Sequence, residues 1–219
     1  MSLLQPGIAV DLETGEVRVR RILGLNPGPM AGPGTNTYLV GSDKLMLIDP
    51  GPIDAVQLQN FLVAIGDATL VNILVTHTHG DHSPGALALA KQTGARLVGL
   101  NAPQAPGQDH SFVSDIICAD GDIIECRDTA GSYSLQMIHT PGHVSNHLCF
   151  LLREEGLLFT GDHVLQGTTP VILPPDGDMS DYLASLERLL LLPLVALAPA
   201  HGDVMPAPFT EIEKLIAHR

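Results

Sequence analysis

The stretch "VTHTHGDHSPG", residues 75–85, places His77, His79, Asp81 and His82 within six positions, after an apolar run and before a helix-like segment. Imidazole nitrogens and carboxylate oxygens are the usual non-sulfur ligands of zinc-like cations. Side chains two apart on an extended segment point the same way, so His77 and His79 suit one ion. Asp81 and His82, in the turn that follows, are placed to reach a second. A plain polar turn is the competing reading, but HxHxDH arises by chance in only roughly one or two chains per thousand of this composition. Metal chemistry is therefore the expectation to carry along the chain.

Outward from this stretch, short β-type runs recur: "VRVRRILGL" (17–25), "NTYLV" (36–40), "LMLID" (45–49), "VNILVT" (71–76), "RLVGL" (96–100), "SLQMIHT" (134–140), "HLCFLL" (147–152), "GLLFTG" (156–161) and "LVALAPA" (194–200). Helical signals lie between and after them. The clearest has Ser83 as N-cap, Pro84 in the first turn, apolar Leu87 and Ala90, and Gly94 as terminator. Residues 181–192 form a second, and 53–65 and 209–218 two weaker ones. Strands with interspersed helices and no internal repeat indicate an α/β (α+β) chain, and 219 residues suit one domain spanning 1–219.

On this map the remaining metal-competent residues fall into place. His77, His79, Asp81 and His82 follow one strand, His143 follows "SLQMIHT" through a Pro-Gly turn, Asp162 follows "GLLFTG", and His201 follows "LVALAPA". Each lies just beyond a strand's C-terminal end, where loops on an α/β scaffold assemble sites. Two Gly/Pro-rich loops, 25–36 and 166–178, are too long for simple turns and are expected beside such a site. His143 and His201, taken singly, read as structural more readily than as ligands.

Composition narrows the function. Net charge is -13, from 11 basic and 24 acidic residues, so the field of the molecule repels polyanions and disfavours RNA or DNA as substrate. Arg18 and Arg20 read as one solvated face of a strand. Cys118, Cys126 and Cys149 lack metal spacing and read as buried apolar residues. The N-terminus lacks a signal-peptide pattern, and the longest apolar run, residues 189–200, is interrupted by Pro193 and too short to span a bilayer. No membrane association and a cytoplasmic location are expected.

With "THTHGDH", "TPGH" (140–143), "TGD" (160–162) and "APAHG" (198–202) in this order, the sequence resembles the metallo-β-lactamase-fold hydrolase superfamily over nearly its whole length. "NPGPMAGPGTNTYLVG" (26–41) and "GDHVLQGTTP" (161–170) resemble its β-lactamase-like protein 2 subgroup, whose relatives include single-strand-specific endoribonucleases and acyl-carrier-protein thioesterases. The resemblance implies an αββα four-layer sandwich. It implies that His77, His79 and His143 bind one metal, that Asp81, His82 and His201 bind another, and that Asp162 bridges them. Asp81 and Asp162 then carry the catalytic work: a metal-bridging hydroxide attacks a small ester or thioester, while Asp81 orients it and passes a proton to the leaving group. The cofactor implied is two Zn2+, with iron or manganese also accommodated by such ligands. A bridging aspartate at 162 resembles glyoxalase II-like, nuclease-like and lactonase-like members rather than true β-lactamases. RNA cleavage is the alternative activity; lactonase, β-lactamase and a silent binding module rank lower. A C-terminal winged-helix-like domain like the subgroup's is not expected here, since the sequence runs only to "EIEKLIAHR". Among other histidines, His147 and His163 are candidates for supporting a ligand, His139 is expected to be structural, and His110 and His218 to lie at the surface. Asn36 and Tyr38 read as a loop entering a strand.

Overall fold

The computed structural model describes residues 5–219. Its first sheet has seven strands in chain order: β1 (Ala9–Asp11), β2 (Val19–Leu23), β3 (Asn36–Val40), β4 (Lys44–Ile48), β5 (Thr69–Leu74), β6 (Arg96–Gly99) and β7 (Ile116–Ile117). The second has five, ordered β12 (Ala196–Pro199), β11 (Leu157–Gly161), β10 (Leu148–Leu152), β9 (Gly131–His139) and β8 (Ile123–Asp128). Pairing is parallel from β4 through β7 and between β11 and β12, and antiparallel elsewhere. Helices α1 (Ala55–Ile65) and α2 (Gly85–Thr93) pack on the first sheet, and α3 (Met179–Leu189) and α4 (Pro208–His218) on the second.

The four layers follow from strand alternation. Along β4, Met46 and Ile48 enter the layer between the sheets, while Leu45 and Leu47 meet α1 and α2. Along β10, Leu148, Phe150 and Leu152 face the same inner layer, and Cys149 and Leu151 face α3 and α4. A sheet covered on both faces needs apolar residues at its buried positions, which is why "LMLI" (45–48) and "LCFLL" read as unbroken runs. Helices α1 and α3 begin where a side chain satisfies free backbone donors: Asp54 accepts from Gln57 N–H, and Asp178 from Ser180 and Asp181 N–H.

Some expectations change. Ser83 is not an N-cap, because its hydroxyl donates to Asp109 at 2.7 Å and α2 starts only after Pro84. Gly94 does end that helix, in the left-handed conformation. The arginine face is not solvated as a whole. Arg18 pairs with Asp11 at the surface, but Arg20 and Arg21 are buried, donating to the carbonyls of Ala64 and Gly202. Their long stems cover apolar surface while the guanidinium finds backbone oxygens. β1, β7 and β8 carry no strong apolar alternation and form at the sheet edges. The cysteines are free and buried, and among the described residues no helix is long and apolar enough to cross a membrane.

Phe159 lies fully buried between the sheets, 5.0 Å from the Tyr38 ring centroid. Phe159→Ala is expected to destabilise the fold by about 3–5 kcal/mol, read as a lower urea midpoint with little change in slope.

Candidate metal centre

The strands that carry the histidine- and aspartate-bearing segments end at one edge of the sandwich, and backbone bonds join the two sheets there. Leu148 N–H donates to Thr76 C=O at 2.8 Å, and Asn36 N–H to Ala200 C=O at 2.7 Å. Asn36 also donates through its amide to the carbonyls of Pro199 and Gly202, and the Tyr38 hydroxyl donates to Pro199. Both therefore fasten the loop that carries His201. Two glycines permit close approaches at this edge. At Gly142, φ is 142° and a Cβ would collide with the Tyr182 backbone; at Gly161, φ is 49° and a Cβ would lie 2.7 Å from His147 Nε2.

The seven side chains meet. His77 Nε2 and His143 Nε2 lie 3.0 and 3.1 Å from His79 Nδ1. His201 Nε2 lies 3.4 Å from Asp81, and His82 Nε2 lies 3.6 Å from Asp81. Asp162 stands between the two groups: Oδ1 is 3.3 Å from His201 Nε2, and Oδ2 is 3.5 Å from His82 Nε2 and 3.8 Å from His143 Nε2. A tetrahedral zinc with bonds of about 2.0–2.1 Å separates its ligand atoms by about 3.3–3.4 Å, close to this spacing. His82 Nε2, His201 Nε2 and Asp162 Oδ1 are buried without a hydrogen-bond partner. Orphaned lone pairs converging at ligand spacing fit divalent cations, and His77, His79 and His143 on one side and Asp81, His82 and His201 on the other can each hold one.

The centre opens into a cavity of about 1050 Å³. Its walls come largely from the two long loops, with Pro29, Met30 and Pro33 on one and Val171, Leu173 and Pro174 on the other. No Lys or Arg is among its lining residues.

A family model described as the metallo-beta-lactamase superfamily matches residues 31–201. The chain belongs to the metallo-beta-lactamase superfamily. The lactamase-like protein nscB of Aspergillus fumigatus is 37% identical over 95% of this chain and 60% of its own length. The beta-lactamase-like protein 2 homolog of Drosophila melanogaster is 34% identical over 92% of this chain and 70% of its own. An atrochrysone carboxyl ACP thioesterase of Claviceps purpurea is 33% identical over 89% of this chain and 59% of its own. The chain thus spans about 60% of the length of the fungal relatives it matches. Among solved structures, a beta-lactamase domain protein from Burkholderia ambifaria superposes with a TM-score of 0.76 at 22% identity, over 99% of this chain and 78% of that one. At that identity the likeness speaks for the fold.

In this metallo-beta-lactamase superfamily chain, the groups behind the cluster are as specific as the cluster itself. Asp49 is buried at the end of β4. It accepts from Thr76 N–H at 2.8 Å and from the Thr76 hydroxyl at 2.7 Å, and it lies 2.9 Å from His82 Nδ1. With Nδ1 engaged by a carboxylate, the His82 ring is oriented so that Nε2 points at Asp81 and Asp162. Asp49 had no signal in the histidine motifs; its only trace is an acidic residue ending the apolar run "LMLID". His143 Nδ1 meets the Val171 carbonyl at 2.5 Å, and His77 Nδ1 meets the Thr76 hydroxyl at 3.1 Å. His147 Nδ1 contacts the Thr140 hydroxyl at 2.8 Å, and its Nε2 accepts from Asp162 N–H at 3.2 Å, so it supports the aspartate through the backbone. His163 is buried against Tyr182, with neither ring nitrogen hydrogen-bonded. His139, at the end of β9, is half-buried and bonds the Ser145 carbonyl, and His110 and His218 are exposed.

Electrostatics divides the cluster. Burial, reinforced by neighbouring imidazoles, holds His77 far below the usual histidine value and His79 down at about 4, so both are neutral donors of lone pairs at pH 7. Burial opposes charge on His82 as well, but the carboxylates of Asp162, Asp81 and Asp49 outweigh it and raise its pKa. For Asp162, burial pushes the pKa up, but His82, His201 and His143 more than compensate and hold it at about 2. Asp81 is lowered too, through His82 and His201 acting against burial. Both carboxylates are therefore ionised and available to cations.

Asp49→Ala is expected to weaken metal binding by about 10- to 100-fold, because the His82 ring loses the partner that fixes it. Competition against a chromophoric chelator measures this; unchanged affinity would show that His82 is held without Asp49.

Proposed function

We propose that this chain is a dinuclear metal-dependent hydrolase of acyl thioesters and related esters, with zinc as the metal and His77, His79, His143, Asp81, His82, His201 and Asp162 as ligands. The observation that carries the reading is the pair of ligand groups, with unpaired nitrogens and Asp162 between them, at the floor of an apolar cavity. Two cations bound there supply Lewis acidity and a water that ionises near neutral pH. The chain's own residues provide the rest. Asp162, with 13% of its side chain exposed, faces His82 and His201 of the second group through both carboxylate oxygens and reaches His143 of the first through Oδ2 at 3.8 Å. Asp81 is more open, at 30%, and lines the cavity, so its carboxylate can take the proton of the attacking water and return it to the departing thiol or alcohol. The apolar walls bind the acyl portion and keep bulk water from the reacting carbon.

The thioester preference draws support from relatives named as thioesterases, from Claviceps purpurea and Emericella nidulans. RNA finds no cationic side chain among the cavity's lining residues and a net charge of -13 on the chain, which opposes phosphate contacts.

Elemental analysis of the purified protein is expected to give near two equivalents of metal. The metal-loaded protein is expected to hydrolyse neutral acyl thioesters, with S-lactoylglutathione, lactones and single-stranded RNA as comparison arms, the RNA arm inert. Asp81→Ala should lower thioester turnover by at least about 100-fold. Activity surviving complete metal removal, or equal rates in the variant, would refute the mechanism.

A further inference from the structure

Beside the cavity, five side chains from four loops form a closed hydrogen-bonded ring that the hydrolytic chemistry does not use. Asn146 Nδ2 donates to the Thr78 hydroxyl at 2.8 Å, and that hydroxyl donates to Gln108 Oε1 at 2.5 Å. Gln108 Nε2 donates to Asp176 Oδ2 at 3.0 Å. Asp176 Oδ1 accepts from the backbone N–H and hydroxyl of Ser145, at 3.2 and 2.5 Å, and Ser145 precedes Asn146 in the chain, closing the ring. Every step has the polarity its groups require, hydroxyl to amide oxygen and amide nitrogen to carboxylate.

The ring's location gives it consequence. Thr78 lies between His77 and His79, and its carbonyl also takes Asp109 N–H at 2.6 Å. Ser145 and Asn146 follow His143. Asp176 belongs to the loop whose Val171 carbonyl holds His143 and whose Leu173 and Pro174 line the cavity. Gln108 lines the cavity too, and it is the one link between the loop at 101–109 and the loop at 166–178 that these bonds provide. Its amide must accept and donate at once, from the Thr78 hydroxyl and to the Asp176 carboxylate. Alanine would leave Thr78 and Asp176 without this partner, and a glutamate would set two carboxylates against each other.

We propose that Gln108 is a positioning residue: through Thr78 on one side and Asp176 on the other, it latches the apolar wall of the cavity against the strand end that carries His77 and His79, and so sets the fit of the acyl group. The consequence for acyl binding rests on the thioester hydrolase reading; the latch itself does not. Opening it widens the cavity at the wall while leaving the two ligand groups and Asp81 in place. Its loss therefore appears in KM more than in kcat.

The test exploits polarity. Gln108→Glu preserves shape and still accepts from Thr78, but repels Asp176. Adding Asp176→Asn restores a donor toward residue 108 while its carbonyl still accepts from Ser145. In the metal-loaded protein, Gln108→Glu is expected to speed hydrogen exchange of backbone amides in 101–109 and 170–177 by about tenfold, and the double variant to restore protection. On a neutral acyl thioester, KM should rise by roughly tenfold in Gln108→Glu, with kcat and metal content within about twofold of the parent, and fall back in the double variant. Unchanged exchange in Gln108→Glu, or no recovery with Asp176→Asn, overturns the latch. A change in kcat without a change in KM overturns its role in acyl fit. If the parent protein proves inactive on thioesters, the hydrolase reading fails while the exchange measurement still decides the latch.

Discussion

At the end of β4 the chain buries a carboxylate in a place where an unpaired one would cost several kcal/mol, and the surroundings are arranged to satisfy it. Asp49 takes the N–H and hydroxyl of Thr76 and faces Nδ1 of His82. Its backbone sits at φ 53°, a conformation that costs a non-glycine residue about 1–3 kcal/mol and persists only where neighbours over-determine it. Thr76 in turn gives its carbonyl to Leu148 of the second sheet. One buried acid thus sets the relative placement of β4, the turn after β5 and the start of β10, and the histidine cluster inherits that placement.

The same constraint explains why the cluster lies at an edge. Three apolar layers fill the space between helices and sheets, and none has hydrogen-bond partners to spare for seven ionisable groups. Strand ends do, because their last backbone groups are free to bond loops and side chains. Around the cluster, the Val171 carbonyl, the Thr76 and Thr140 hydroxyls and the Asp49 carboxylate occupy the rear nitrogens of His143, His77, His147 and His82. The forward nitrogens of His82 and His201 are left unpaired, facing the carboxylates of Asp81 and Asp162. Orientation at the back and unmet bonding capacity at the front are what a cation site needs.

Much of the centre was legible in the chain because its residues are dense in chemistry and sparse in sequence accident. "THTHGDH" states its own geometry, since alternate residues on an extended segment share a direction. Less was legible where the decisive group is an ordinary residue in an ordinary place. Asp49, Gln108 and Asp176 sit in turns and loops where acids and amides are common, and their importance comes from partners tens of residues away. Arg20 departs from its expected solvated face for a related reason: alternation predicts which side a residue takes, but not that the Ala64 carbonyl would lie there to receive a guanidinium. Ser83 had the right type and position for a helix cap and found a closer acceptor in Asp109.

By itself, the sequence determined the alternation of strands and helices, the apolar runs that demand a sheet buried on both faces, and the four segments that bring histidine and aspartate to strand ends. Only the tertiary structure decided which strand ends coincide, because that depends on how two sheets register across an apolar layer and is settled by contacts with no local signature. It was also the folded chain that placed Asp162 between two histidine groups, set an apolar wall on either side of them, and joined four loops into one polar ring. Local sequence fixes what each side chain can do; long-range packing fixes what it does it to.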